Sequence, residues 1–211
     1  MKKETILKVV INSFNIYQKE FENNNILYVY ENDAGEIRGF ETTFKKGNYK
    51  HLTGLDSTNS AENFYKKLER KQLSLTDFEV DKDGTAIQKL EVIENINDIL
   101  YKPFVIGYAR HNLLKNNSSK IDIITGNSKK LTIGFKDGEN SYPVTLMQLN
   151  PKDATTKNHT ILFTLRKKIT DEKYSEVLYW KEKTSKAKLR KIEKQYQIKI
   201  DYSNIKKDEE I

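Results

Sequence analysis

Leu131-Thr132-Ile133-Gly134-Phe135 and Tyr142-Pro143-Val144-Thr145-Leu146-Met147 flank the turn-forming stretch Lys136-Asp137-Gly138-Glu139-Asn140. Two runs of β-branched and aromatic residues around a short glycine-bearing turn read as an antiparallel hairpin. Pro143 stands at the start of its strand, where a missing backbone donor costs least. The neighbouring runs carry the same signal: Phe104 to Tyr108, Ile121 to Thr125 and His159 to Arg166 are short, apolar and bounded by polar loops at 116–119 and 152–158. The region from residue 103 to 167 is therefore expected to be an antiparallel sheet.

The chain before residue 103 has a different period. Ile6, Val9, Val10, Phe14, Tyr17 and Phe21 recur at three- and four-residue intervals, which predicts an amphipathic helix over residues 3–21. Ile26 to Tyr30 and Ile37 to Phe44, joined by Asn32-Asp33-Ala34-Gly35, predict an early hairpin. A polar segment from Lys45 to Leu55 follows. A second helix is expected to start near residue 59 and a third to run from Ile87 to Leu100, stopped by Pro103. Tyr174 to Trp180 fits strand or helix. Ser185 caps a short helix with Leu189, Ile192 and Tyr196 on one face, and Ile198 to Ile200 is expected to return to the sheet.

Helices early and strands late, with no βα alternation, predict an α+β fold. It has a helix-rich N-terminal half with an early β-hairpin, packed on a C-terminal antiparallel β-sheet, and a short basic helix near the end. One domain over residues 1–203 with a polar, disordered tail at 204–211 is expected, since no repeat or low-complexity linker divides the chain.

With 211 residues and no cysteine, disulfide scaffolds, zinc ribbons, thiol catalysis and iron–sulfur chemistry are excluded. The N-terminal segment lacks a signal peptide's cleavage site, and no apolar run reaches the length of a spanning helix, so a cytoplasmic protein without a membrane partner is expected. Thirty-seven basic against thirty acidic residues give a formal charge of +7, which favours an anionic partner. P-loop, dinucleotide-binding and nucleophile-elbow patterns are missing, and Asp81-Lys82-Asp83-Gly84 departs from a calcium loop and reads as a turn or helix entry. His51, His111 and His159 lie too far apart in sequence for a local metal motif, so no cofactor or metal is expected.

The most specific local pattern is Tyr49-Lys50-His51-Leu52-Thr53-Gly54-Leu55, followed by Asn63-Phe64-Tyr65-Lys66-Lys67-Leu68 and Thr85-Ala86-Ile87-Gln88-Lys89-Leu90. In this arrangement residues 8–150 resemble the fourth of the phage-associated nuclease-like domain families grouped with barnase, EndoU, the tRNA-cleaving colicins and RelE. The resemblance implies a helical part packed on an antiparallel sheet, an origin in a phage, prophage or mobile element, and RNA cleavage without a metal. It carries over to His51, Thr53 and Lys89.

Metal-free RNA cleavage needs a base for the 2′-hydroxyl, an acid for the departing 5′-oxygen and a cation at the phosphate. His51, Thr53 and Arg166 are accordingly the expected catalytic residues, with Thr164 a further candidate on the late strands. Lys89 and the basic residues Lys181, Lys183, Lys186, Lys188, Arg190, Lys191 and Lys194 are the expected nucleic-acid contacts. Each has a second reading: His51 as a hydrogen-bonding loop residue, the lysines as the wet face of a helix, and Tyr28, Tyr30 and Tyr142 as core rather than base-stacking groups. Two functions follow. The first is a metal-independent endoribonuclease acting on RNA by general acid–base catalysis. The alternative is a non-catalytic basic protein that inhibits a host nucleic-acid-acting defence complex, in the manner of an anti-CRISPR. The sequence leaves the oligomeric state open.

Overall fold

The computed structural model describes residues 1–110 and 121–203. The expectations for His111, the loop at 116–119 and the tail at 204–211 fall outside these residues. Helix α1, Lys3–Glu20, buries Ile6, Val10, Phe14 and Tyr17, the face its spacing predicts. Strands β1 (Asn24–Glu31) and β2 (Ile37–Phe44) form the early hairpin, in which the Asn32 side chain accepts the N–H groups of Ala34 and Glu36. Helices α2 (Asn48–Thr53), α3 (Ala61–Glu69), α4 (Thr85–Ile93) and α5 (Asp98–Tyr101) complete the helical part.

Two expectations change here. The polar segment before residue 55 contains a helix, α2, because Tyr49 and Leu52 are buried against α1, with the Tyr49 hydroxyl 2.6 Å from the carbonyl of Val10. The helix expected over 87–100 is broken. Asn95 and Asn97 stand where N–H groups reach back only three residues, from Ile96 to Ile93 and from Leu100 to Asn97, so the chain makes a tight turn between α4 and α5 while Ile96, Ile99 and Leu100 stay buried.

The strands β3 (Val105–Tyr108), β4 (Ile123–Gly126), β5 (Leu131–Lys136), β6 (Tyr142–Gln148) and β7 (His159–Lys168) follow, and the segment after β7 resolves into β8 (Lys173–Tyr174) and β9 (Glu176–Trp180). Between β6 and β7 the expected exposed loop instead holds the one-turn helix α6, Pro151–Ala154. Proline suits the first helical position, the Asn150 side chain caps it, and Ala154 and Thr155 are buried. Helix α7, Lys186–Tyr196, and β10, Lys199–Ile200, end the described chain. β10 pairs parallel with β8 in a separate two-stranded sheet rather than rejoining the main one.

The main sheet runs β2-β1-β7-β3-β4-β5-β6, with β9 beside β7, and every pairing in it is antiparallel. The early hairpin thus belongs to the late sheet, because β1 pairs with β7 along its whole length, Asn24 opposite Lys168 and Glu31 opposite Thr160. Alternation divides β1 between two cores. Ile26 and Tyr28 point into a core shared with α1 to α5, while Leu27 and Val29 point to a second core closed by Leu189 and Ile192 of α7. The sheet curls around the first core until its edge strands touch, the Thr43 N–H donating to the Ser141 carbonyl at 2.9 Å.

One buried ionic cluster fastens α1 to this sheet. Arg166 on β7 donates to the Glu20 carboxylate at 2.7 Å and to its carbonyl at 3.1 Å, and makes a two-bond contact with Glu176 of β9. Tyr101 donates to the same Glu20 carboxylate at 2.6 Å. Burial pushes the Glu20 carboxyl up, but the Tyr101 and Arg166 hydrogen bonds outweigh it and hold the group below its ordinary 4.5. Glu20→Gln is expected to cost about 3 kcal/mol at pH 7, because it leaves a largely buried guanidinium short of charge. A depressed carboxyl stabilises the fold above its unfolded value and loses that contribution as pH falls through the folded one. Urea unfolding of wild type and variant should therefore converge below pH 4.5.

Candidate active site

The H-L-T-G segment closes α2 by a defined set of bonds. The Thr53 hydroxyl donates to the Lys50 carbonyl at 2.7 Å and accepts the Leu55 N–H at 3.2 Å. Gly54 then takes φ +70°, the left-handed conformation that ends helices and favours glycine. Tyr49 and Leu52 pin one side of α2 into the core, which leaves Lys50 and His51 on the other side.

Gly54 also sets a distance. A Cβ there would lie 2.7 Å from Cδ of Lys89 and 3.3 Å from the Ala86 backbone, so only glycine lets α4 pass this close. The start of α4 is fixed by Asp83, whose carboxylate accepts the Thr85 N–H at 2.9 Å, as the helix-start reading of that stretch anticipates. One turn on, the half-buried Lys89 lays its stem across Gly54 and brings its ammonium to 3.4 Å from the His51 carbonyl.

His51 and Lys89 open on a cavity of about 420 Å³ whose walls include Asp56, Asp81 and the β6 residues Val144 and Thr145. Partial burial, followed by the charges of Lys50 and Lys89, lowers the His51 imidazole below its ordinary 6.5. At pH 7 it is therefore a neutral base. Burial lowers Lys89 as well, and Asp81 and Asp83 oppose that shift. Lys50 also lines the cavity, with its ammonium hydrogen-bonded to the carbonyls of Ser57 and Asn59.

The other residues singled out in the sequence lie elsewhere. Thr53 is fully buried with its hydroxyl committed to the backbone. Arg166 does not line the cavity and is engaged by Glu20 and Glu176, and Thr164 beside it on β7 is buried. The basic row of α7 covers the face of the sheet opposite α2, so the sheet separates it from His51. Within that row Lys188 pairs with Glu31 at 2.8 Å, Arg190, Lys191 and Lys194 are exposed and Lys186 is half-buried, while Lys181 and Lys183 are exposed just before the helix. Tyr28 is core, Tyr142 is exposed, and Tyr30 stacks on His159. Sequence reasoning missed Asp56, Asp81, Val144 and Thr145. No local spacing links a strand residue near 145 to a histidine at 51, so only the packing of α2 and α4 on β6 reveals them. Among the described residues no cluster of three histidine or carboxylate side chains is placed to hold a metal ion, and no helix is long and apolar enough to cross a membrane.

Lys89→Met is expected to move the His51 titration midpoint upward while leaving it below 6.5, since burial and Lys50 remain. Gly54→Ala is expected to do the same by displacing the lysine, and to cost about 1 to 2 kcal/mol through its left-handed backbone. NMR titration of the His51 ring protons and urea unfolding report the two effects separately.

No curated protein and no solved structure matches the chain. Residues 10–183 match the family described as phage-Barnase-EndoU-ColicinE5/D-RelE like nuclease4, a span that takes in both segments meeting at Gly54 and extends through β9. On that match over most of its length, the chain belongs to this nuclease-like family.

Proposed function

We propose that this protein is a metal-independent endoribonuclease of a phage, prophage or mobile element, with its reaction centre at the His51 cavity. The observation that carries the reading is that His51 and Lys89 line one open cavity, with the Lys89 ammonium 3.4 Å from the His51 carbonyl across a glycine that permits the approach. His51 takes the proton of a ribose 2′-hydroxyl. The 2′-oxygen then attacks the adjacent phosphorus, the bond from phosphorus to the 5′-oxygen breaks, and a 2′,3′-cyclic phosphate forms. Lys89 stabilises the charge on the crowded phosphate and supplies the proton that the departing 5′-oxygen needs. Thr53 acts as a positioning residue by closing the turn that presents His51, and Arg166 contributes through the fold. The family description, which joins phage proteins to barnase, EndoU, colicin and RelE nucleases, supports RNA as the substrate.

His51→Ala is expected to lower cleavage of a fluorogenic RNA by roughly 10²- to 10⁴-fold in the presence of EDTA. The thermal midpoint should hardly move, because the side chain opens on the cavity and is no part of the hydrophobic core. The wild-type kcat/KM profile should fall on the acid side with a midpoint below 6.5. Purified protein that binds a host protein complex but cuts no RNA would instead identify the inhibitor.

The exposed cations of α7 are read as a backbone-binding face for longer RNA. Reversing Arg190, Lys191 and Lys194 together should weaken binding of an RNA long enough to round the sheet edge and flatten its log–log salt slope by about 1 to 2 units. Cleavage of a dinucleotide by the same variant should be unchanged, because the sheet lies between α7 and His51. Salt-dependent anisotropy and dinucleotide kinetics test the two halves.

A further inference from the structure

The sheet approaches closure and leaves one seam open. Its edge strands β2 and β6 touch at Thr43 and Ser141, and beside that contact β2 parts from the β5–β6 turn around a cavity of about 640 Å³. β2 pairs with β1 alone, so its other edge lines this seam. On that edge the Gly39 N–H donates to the Tyr196 hydroxyl at 3.1 Å and the Thr43 N–H to Ser141. Glu41 lies midway between them. By the alternation of an antiparallel strand its main-chain N–H and C=O face the same open side. Neither has a protein partner among the described residues. The edge is thus open at Glu41, between two occupied donors, and an open stretch of edge is a template for a further strand.

The side chains around the seam define what kind of strand. In a chain of net charge +7, Glu41, Asp137 and Glu139 line the seam against one guanidinium, Arg38, which Glu36 already pairs at 2.6 Å. Three tyrosines add electron-rich rings: Tyr30, Tyr108 at 56% exposure and Tyr196 at 40%. Carboxylates with aromatic faces favour ammonium and guanidinium groups and disfavour phosphates.

We propose that this seam binds an extended, basic peptide segment of a partner protein, added as a strand to the free edge of β2. Main-chain bonds to Glu41 provide the pairing, and the arginine or lysine side chains of the segment lie against the tyrosine rings and the carboxylates of the β5–β6 turn. The surface is separate from the His51 cavity and does not depend on the nuclease reading.

The test uses the full chain and a fluorescein-labelled octapeptide of alternating arginine and valine, followed by anisotropy. Saturable binding is expected. Binding should be lost when alternate peptide nitrogens are methylated or when glutamate replaces arginine. Glu41→Pro removes the outward N–H while keeping the main-chain ladder to β1, and it should weaken binding by roughly tenfold relative to Glu41→Gln, which keeps the N–H and can still accept from Asn25. Glu139→Lys, an exposed substitution in the turn, should weaken it by a similar factor and serves if the proline variant does not fold. The proposal is overturned if the arginine peptide fails to bind at about 1 mM, a weak-affinity limit. It is likewise overturned if the glutamate peptide binds equally well, or if both variants bind as wild type does. A single-stranded RNA octamer that binds wild type and loses its affinity in Glu41→Pro would reassign the seam to nucleic acid.

Discussion

The pairing of β1 with β7 is the constraint on which the rest of the structure depends. It joins residues 129 to 144 positions apart in sequence, Asn24 with Lys168 at one end and Glu31 with Thr160 at the other, and so places an N-terminal hairpin inside a C-terminal sheet. Loop closure over that distance is entropically costly and is offset only when both faces of the new strand are buried. Here they are. Ile26 and Tyr28 face the helices and Leu27 and Val29 face α7, so one strand contributes to two cores and couples their stability. The Glu20–Arg166 contact locks the same junction from the side, since it ties the last turn of α1 to β7.

The candidate site inherits its geometry from this arrangement without lying on it. α2 and α4 both pack on β6 within the core that α1 and the curled sheet enclose, and their closest approach is set at Gly54. Partial burial favours the neutral His51 ring, and the charges of Lys50 and Lys89 add to that preference. A histidine whose titration is perturbed by burial and neighbouring charge inside a cavity is the kind of group that clusters at functional sites. The Thr53 and Asp83 bonds fix the helix ends on either side.

Charge is distributed as unevenly as burial. The exposed basic row of α7 covers one face of the sheet, the His51 cavity opens on the other, and an acidic, tyrosine-lined seam runs where the sheet edges diverge. A formal charge of +7 therefore conceals three surfaces of different character. Net charge describes long-range attraction, whereas the ligand class at each surface follows from local groups.

Local patterns in the sequence determined much of the fold. Three- and four-residue spacing identified α1, alternation and turn residues identified the hairpins, and the start and face of α7 were legible, although Ser185 makes no side-chain cap bond there, because propensity and amphipathicity act over a few residues. The expectations that changed were those in which tertiary burial outweighs local signal. α2 forms within a polar segment because Tyr49 and Leu52 find a core, and residues 87–100 divide because a turn at Asn95 to Asn97 lets both pieces bury their apolar side chains. For the site, His51, Thr53, Gly54 and Lys89 were visible as motif residues. Only the tertiary structure decided that His51 and Lys89 share a cavity, that Arg166 belongs to the Glu20 cluster, and that α7 lies across the sheet from His51. The physical reason is the same in each case: these relations depend on which distant strands pair and which helices cross, and side-chain periodicity specifies a face without specifying what that face meets.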